Sequence, residues 1–135
     1  DEPLEVTGPV LADLWVSTDA PDTDFTAVFL DVHPDGSTWN VCEGAVRLRH
    51  ALAAPPAPGA VHHVVVDLAA TSIVLGAGHR LEVRVSSSSF PAWEPNPNTG
   101  RPLGADADAD LRPARQQVFH DARHPSRVVL PVVPR

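Results

Sequence analysis

From Val10 to Ser17 the side chains alternate, with Val10, Ala12, Leu14 and Val16 on one face and Leu11, Asp13, Trp15 and Ser17 on the other. A period of two is the signature of a strand with one buried face, and a helix cannot use it. The pattern recurs along the chain. Phe25 to Val32 is apolar on both faces, as a central strand requires. Trp39 to Arg49 alternates again, with Asn40, Cys42, Gly44, Val46 and Leu48 opposite Trp39, Val41, Glu43, Ala45, Arg47 and Arg49. Val61 to Leu68, Arg80 to Ser86, Gln116 to His120 and Ser126 to Val133 complete about seven strands. In Arg80 to Ser86, Leu81, Val83 and Val85 point inward and Arg80, Glu82 and Arg84 form a charged outer row. Pro131 demotes the last strand to an edge or a bulge.

The connections agree with this reading. His33-Pro34-Asp35-Gly36 is a turn in which proline presets φ and glycine accepts positive φ. Gly44 marks a bulge or a close backbone approach. Ala53 to Gly59, with prolines at 55, 56 and 58, is a loop that no helix crosses. Phe90 to Ala114 is a second proline-rich excursion containing three Ala-Asp pairs, Ala105 to Asp110. With no amphipathic helix and no internal repeat, an all-β sandwich is expected over residues 1–135 as a single domain.

Composition narrows the function. No apolar run approaches the ~18 residues of a membrane span. The ten cationic side chains are all arginine, are scattered, and are outnumbered by 17 acids, for a net charge of −7. That balance disfavours nucleic acid. A lone cysteine, Cys42, excludes an internal disulfide framework and a cysteine-rich zinc site. The chain lacks methionine and opens on Asp1, so an initiator has been removed or this is a piece of a longer polypeptide. No signal-like segment is visible, so the compartment is left open with the cytoplasm slightly preferred.

Reactive groups are sparse. No Gly-x-Ser-x-Gly occurs, and Ser86 to Ser89 fit backbone capping better than nucleophilic catalysis. Cys42, on the core face, reads as a small hydrophobe. His62 and His63 point to opposite faces of a strand and cannot chelate one ion together. His120, Asp121 and His124 read as polar loop residues, because zinc needs three or four positioned ligands. Asp106, Asp108 and Asp110 lack the glycine and glutamate of a calcium loop and read as solvated acids. Asp22 and Asp24 read as turn caps. No catalytic, cofactor or metal residue is therefore expected. The tryptophans stand apart: Trp15 and Trp39 lie opposite the aliphatic stripes and Trp93 lies in a loop. Contact with another domain, core packing or a carbohydrate platform would each use them.

Several segments resemble the C-terminal domain of the X-Pro dipeptidyl-peptidase and cocaine esterase-like (CocE/NonD) serine hydrolases, which include the α-amino-acid ester hydrolases. They are Val6-Thr7-Gly8-Pro9-Val10, the run Ser17 to Ala27, Leu30 to Gly36, Gly44 to Arg49, Leu68 to Ser72 and Gly78-His79-Arg80-Leu81. Val85 to Pro91, Asn96 to Gly100 and His124 to Pro131 follow in order. The resemblance implies a jelly-roll, galactose-binding-like sandwich that lacks its first strands. It further implies packing on an upstream α/β-hydrolase domain, where the Ser-Asp-His triad resides, and a part in shaping the substrate cleft. Such a chain has no catalytic residue of its own and needs no cofactor. Trp15, Trp39 and Trp93 are the candidate domain-interface residues, and uncovered strands offer a route to self-association. An independent carbohydrate-binding sandwich is the alternative.

Overall fold

A computed structural model describes residues 2–134. Seven strands form two antiparallel sheets: β1 (Leu4–Thr18), β2 (Asp24–Val32), β3 (Thr38–Arg47), β4 (His62–Leu75), β5 (Arg80–Ser86), β6 (Gln116–Phe119) and β7 (Arg127–Val129). In one sheet β1 is flanked by β4 on one side and by β6 and β7 on the other; in the second, β2 lies between β3 and β5. The β-sandwich expected from alternation is present. Among the described residues the only helical pieces are a turn at Leu48–Ala51, here α1, and a 3-10 turn at Asp108–Asp110.

The core lies between the sheets. Val10, Ala12, Leu14 and Val16 of β1 meet Phe25, Ala27 and Phe29 of β2 and Val64, Val66 and Leu68 of β4, and Leu48 of α1 joins them. β2 is almost wholly buried on both faces, as its uninterrupted apolar run requires.

Two irregularities refine the sequence reading. β4 continues seven residues past Leu68, because a bulge sets Leu68 and Ala69 against Val10 alone. Ala69 takes φ 66° there, and Asp67 Oδ1 accepts a bond from its N–H at 2.8 Å. The inward set thereby shifts from even to odd positions, so Ile73 and Leu75 reach the core. A period-two reading sees this break as a strand end.

The second bulge lies in β3. Phe29 pairs with Cys42 but Leu30 pairs with Asn40, leaving Val41 as the extra residue. Trp39 consequently pairs with Asp31 and lies on the same face as Cys42, not on the opposite face as simple alternation places it. Gly44 is the close approach, not the bulge: a Cβ there would stand 1.9 Å from the Asp67 carbonyl oxygen.

β5 is an edge strand. Its Leu81 and Val85 are on the inward face by register with Asp31 and Ala27, yet they remain 39% and 37% exposed. The outer row pairs as its spacing suggests, with Glu82 accepting from Arg80 at 3.0 Å and Arg84 at 2.6 Å. Exposed pairs of this kind contribute little.

Candidate functional site

Asp22 and Asp24 do more than cap a turn. Asp24 accepts a two-pronged contact from Arg47, 2.8 Å on each arm. Asp22 accepts from the Arg49 side chain at 2.6 Å and the Arg49 N–H at 3.0 Å. Between them, buried Asn96 donates to Asp22 at 3.0 Å and to Asp24 at 2.7 Å. The arginines also reach backbone carbonyls, Arg47 that of Glu94 and Arg49 that of Arg101. The hydrogen bond to Asp24 pushes the Arg47 guanidinium above its ordinary pKa, and the paired charges make this cluster an ion-pair clamp.

What the clamp holds is the excursion after β5. Ser89 donates to Glu43 at 3.2 Å, and the Trp93 N–H closes a turn on the Ser89 carbonyl. Phe90 sits in that turn, 75% exposed. Trp93 is half-buried and, with Ala45, Val46, Arg47, Ala51 and Val65, lines a hollow of about 610 Å³. Phe90 is thus an apolar ring held outward on a loop that a buried polar cluster anchors. Farther along, Asp106 is also better held than a solvated acid. It accepts from Thr99 at 2.8 Å and Arg101 at 3.3 Å.

The other two tryptophans occupy separate places. Trp15 lies on the outer face of its sheet, half-buried between His63 and His124, with ring centroids 4.9 and 5.4 Å away. Trp39 is 63% exposed, its ring 4.7 Å from that of His33. It starts β3, whereas the hollow beside Trp93 adjoins the other end, roughly 20 Å away at ~3.3 Å per residue. No two of these rings are in contact among the described residues.

Elsewhere several of the reactive candidates have structural partners or surroundings. His63 binds Asp13, and Arg127 completes that group at 2.9 Å. His124 faces Asp121 at 3.3 Å, and bonds from the Arg123 and His124 N–H groups help hold Asp121 below the usual carboxylate range. Burial pushes the Cys42 thiol up, away from the thiolate that nucleophilic chemistry needs.

One cluster escapes sequence reasoning. Asp31 on β2, His33 just beyond it and His79 before β5 converge, each offering one ligand atom within 4.8 Å of the others. Asp31 and His33 sit at the entry to the turn already visible in the sequence, but His79 is 46 residues beyond His33. Only the pairing of β2 with β5 brings it across.

The chain's relatives match this architecture. The family model described as the X-Pro dipeptidyl-peptidase C-terminal non-catalytic domain matches residues 1–129. Cocaine esterase from Rhodococcus sp. (strain MB1 Bresler) is 42% identical over 138 residues, covering 99% of this chain and 24% of the relative. A crystal structure of an aminopeptidase from a marine sediment Thaumarchaeota archaeon superposes with TM-score 0.92 at 29% identity, over 99% of this chain and 24% of that one. An α-amino acid ester hydrolase gives 0.87 at 27% identity, over 98% and 24%. The chain thus spans about a quarter of the length of each.

Proposed function

The chain belongs to the family of X-Pro dipeptidyl-peptidase C-terminal non-catalytic domains, and from that premise we propose that it packs on an α/β-hydrolase-type catalytic domain and steadies the walls of its substrate cleft. The parent enzyme hydrolyses an ester or an X-Pro amide bond with a triad held outside these residues. The observation that carries this reading is Phe90: a large apolar ring, three-quarters exposed, on a loop anchored by buried ion pairs. An exposed ring adds little to folding, whereas a ring presented on a rigid anchor contributes most to an interface when a partner desolvates it. Trp93 and the adjoining hollow extend the same surface. The carbohydrate-binding alternative draws no support from the tryptophans, which offer no shared platform.

The test grafts this chain in place of the matching quarter of the Rhodococcus cocaine esterase. The chimera is expected to be soluble and to retain esterase activity. Phe90→Asp in that chimera should weaken the domain contact by about 2–4 kcal/mol, the range of a central interface ring. The expected readout is an inactivation half-life at least tenfold shorter. In the isolated chain the same substitution should change stability by no more than ~0.5 kcal/mol, because the ring is already in water. Equal inactivation rates for the chimera and its Phe90→Asp variant would remove this surface from the interface.

A further inference from the structure

We infer that Asp31, His33 and His79 form a binding site for a single divalent transition-metal ion of the zinc class. Asp22, Asp24 and Asp31 are all buried, but they are paired differently. Asp22 and Asp24 each face an arginine. Asp31, with a side chain 5% exposed, faces only imidazoles: His79 Nδ1 is 2.7 Å from Oδ1 and His33 Nε2 is 3.5 Å from Oδ2.

His33 Nε2 is the telling atom. It is buried and has no hydrogen-bond partner. Protonated, its N–H would stand 3.5 Å from Asp31 Oδ2, too far for a good hydrogen bond; unprotonated, it would aim a lone pair toward that oxygen. Neither state satisfies the buried nitrogen fully. A cation placed between the nitrogen and the carboxylate satisfies both. Tetrahedral zinc with bonds near 2.0–2.1 Å sets its ligand atoms roughly 3.3–3.4 Å apart, so the His33–Asp31 spacing already matches. His79 Nδ1, now 2.7 Å from Asp31 Oδ1, would move outward to exchange its hydrogen bond for a metal bond. Two imidazoles and a carboxylate suit zinc better than calcium or magnesium, and water completes the fourth position.

The donors are also held in place. The His33 N–H and carbonyl close the turn with Ser37 and Gly36. The His33 ring centroid lies 4.3 Å from that of His79 and 4.7 Å from that of Trp39, each pair tilted. The His79 N–H bonds Gly76 at 3.1 Å, and its Nε2 lies against Gly76, where a Cβ would stand only 2.8 Å away. That contact turns Nδ1 toward Asp31. Metal binding would pin the β2–β3 turn to the β4–β5 turn, at the end of the sandwich away from the arginine clamp.

The experiment titrates chelator-treated full chain with zinc chloride against a chromophoric indicator, and separately with cobalt chloride. One equivalent of zinc is expected to bind with a Kd of micromolar or below and to raise Tm. Cobalt should produce visible absorption bands of a four-coordinate site and quench Trp39 fluorescence. His33→Gln is the decisive variant, because its ring nitrogen supports no hydrogen bond and the fold should survive its loss. It should weaken zinc binding at least tenfold, as should His79→Gln, while His124→Gln leaves it unchanged. Failure to bind zinc saturably, or an affinity unaltered by His33→Gln and by His79→Gln, would overturn the assignment.

Discussion

Gly44→Val is expected to leave little or none of the folded chain. The first added carbon would stand 1.9 Å from the Asp67 carbonyl oxygen and 2.7 Å from its carbonyl carbon. Both are backbone atoms of a strand locked to β1, so no side chain can swing aside. Relieving the clash means parting β3 and β4 over the core. Overpacking ordinarily costs about 1–3 kcal/mol where side chains can adjust; here the larger figure is a floor. Against total stabilities of about 5–15 kcal/mol, Gly44→Ala should lower the urea midpoint strongly and Gly44→Val should abolish the transition. An unchanged midpoint for Gly44→Ala would mean that the two strands are not held at this separation.

The second large effect is expected at the clamp. Asp24→Ala removes both arms from Arg47 and one partner from Asn96, leaving a mostly buried guanidinium uncompensated. Breaking a buried pair on one side costs about 3–5 kcal/mol. The loss should appear as a lower denaturation midpoint and as faster hydrogen exchange and proteolysis across residues 87–114, which the clamp ties to β2 and β3. The double substitution Asp24→Leu with Arg47→Met should recover much of the stability, since an apolar pair of similar volume avoids desolvating two charges. Should Asp24→Ala unfold no more easily and leave exchange in the loop unchanged, the ion pairs are not what anchors it.

These two sites also mark how far the sequence can be read. Strand positions follow from alternation, and β2 as a central strand follows from its double-faced apolar run. Gly44 marks a bulge or a close approach in the sequence, and only the structure shows which of the two it is. The bulges themselves leave no such mark, because an extra residue changes parity without changing composition. Trp39 therefore lies on the other face, and alternation alone ends β4 at Leu68. Asp22 and Asp24 read as ordinary turn acids since their partners, Arg47, Arg49 and Asn96, are 23 to 74 residues away. The Asp31–His33–His79 cluster is hidden for the same reason. Phe90 cannot be ranked above other loop residues until the loop is seen to be anchored with the ring outside.

The central claim is that this chain serves as a packing partner and performs no bond cleavage. It is tested by exposing the isolated chain to a serine-directed fluorophosphonate and to p-nitrophenyl esters, then weighing the intact protein by mass spectrometry. The expected result is an unmodified mass and hydrolysis at the rate of buffer alone. A single covalent adduct on one serine, accompanied by turnover that the reagent abolishes, would contradict it.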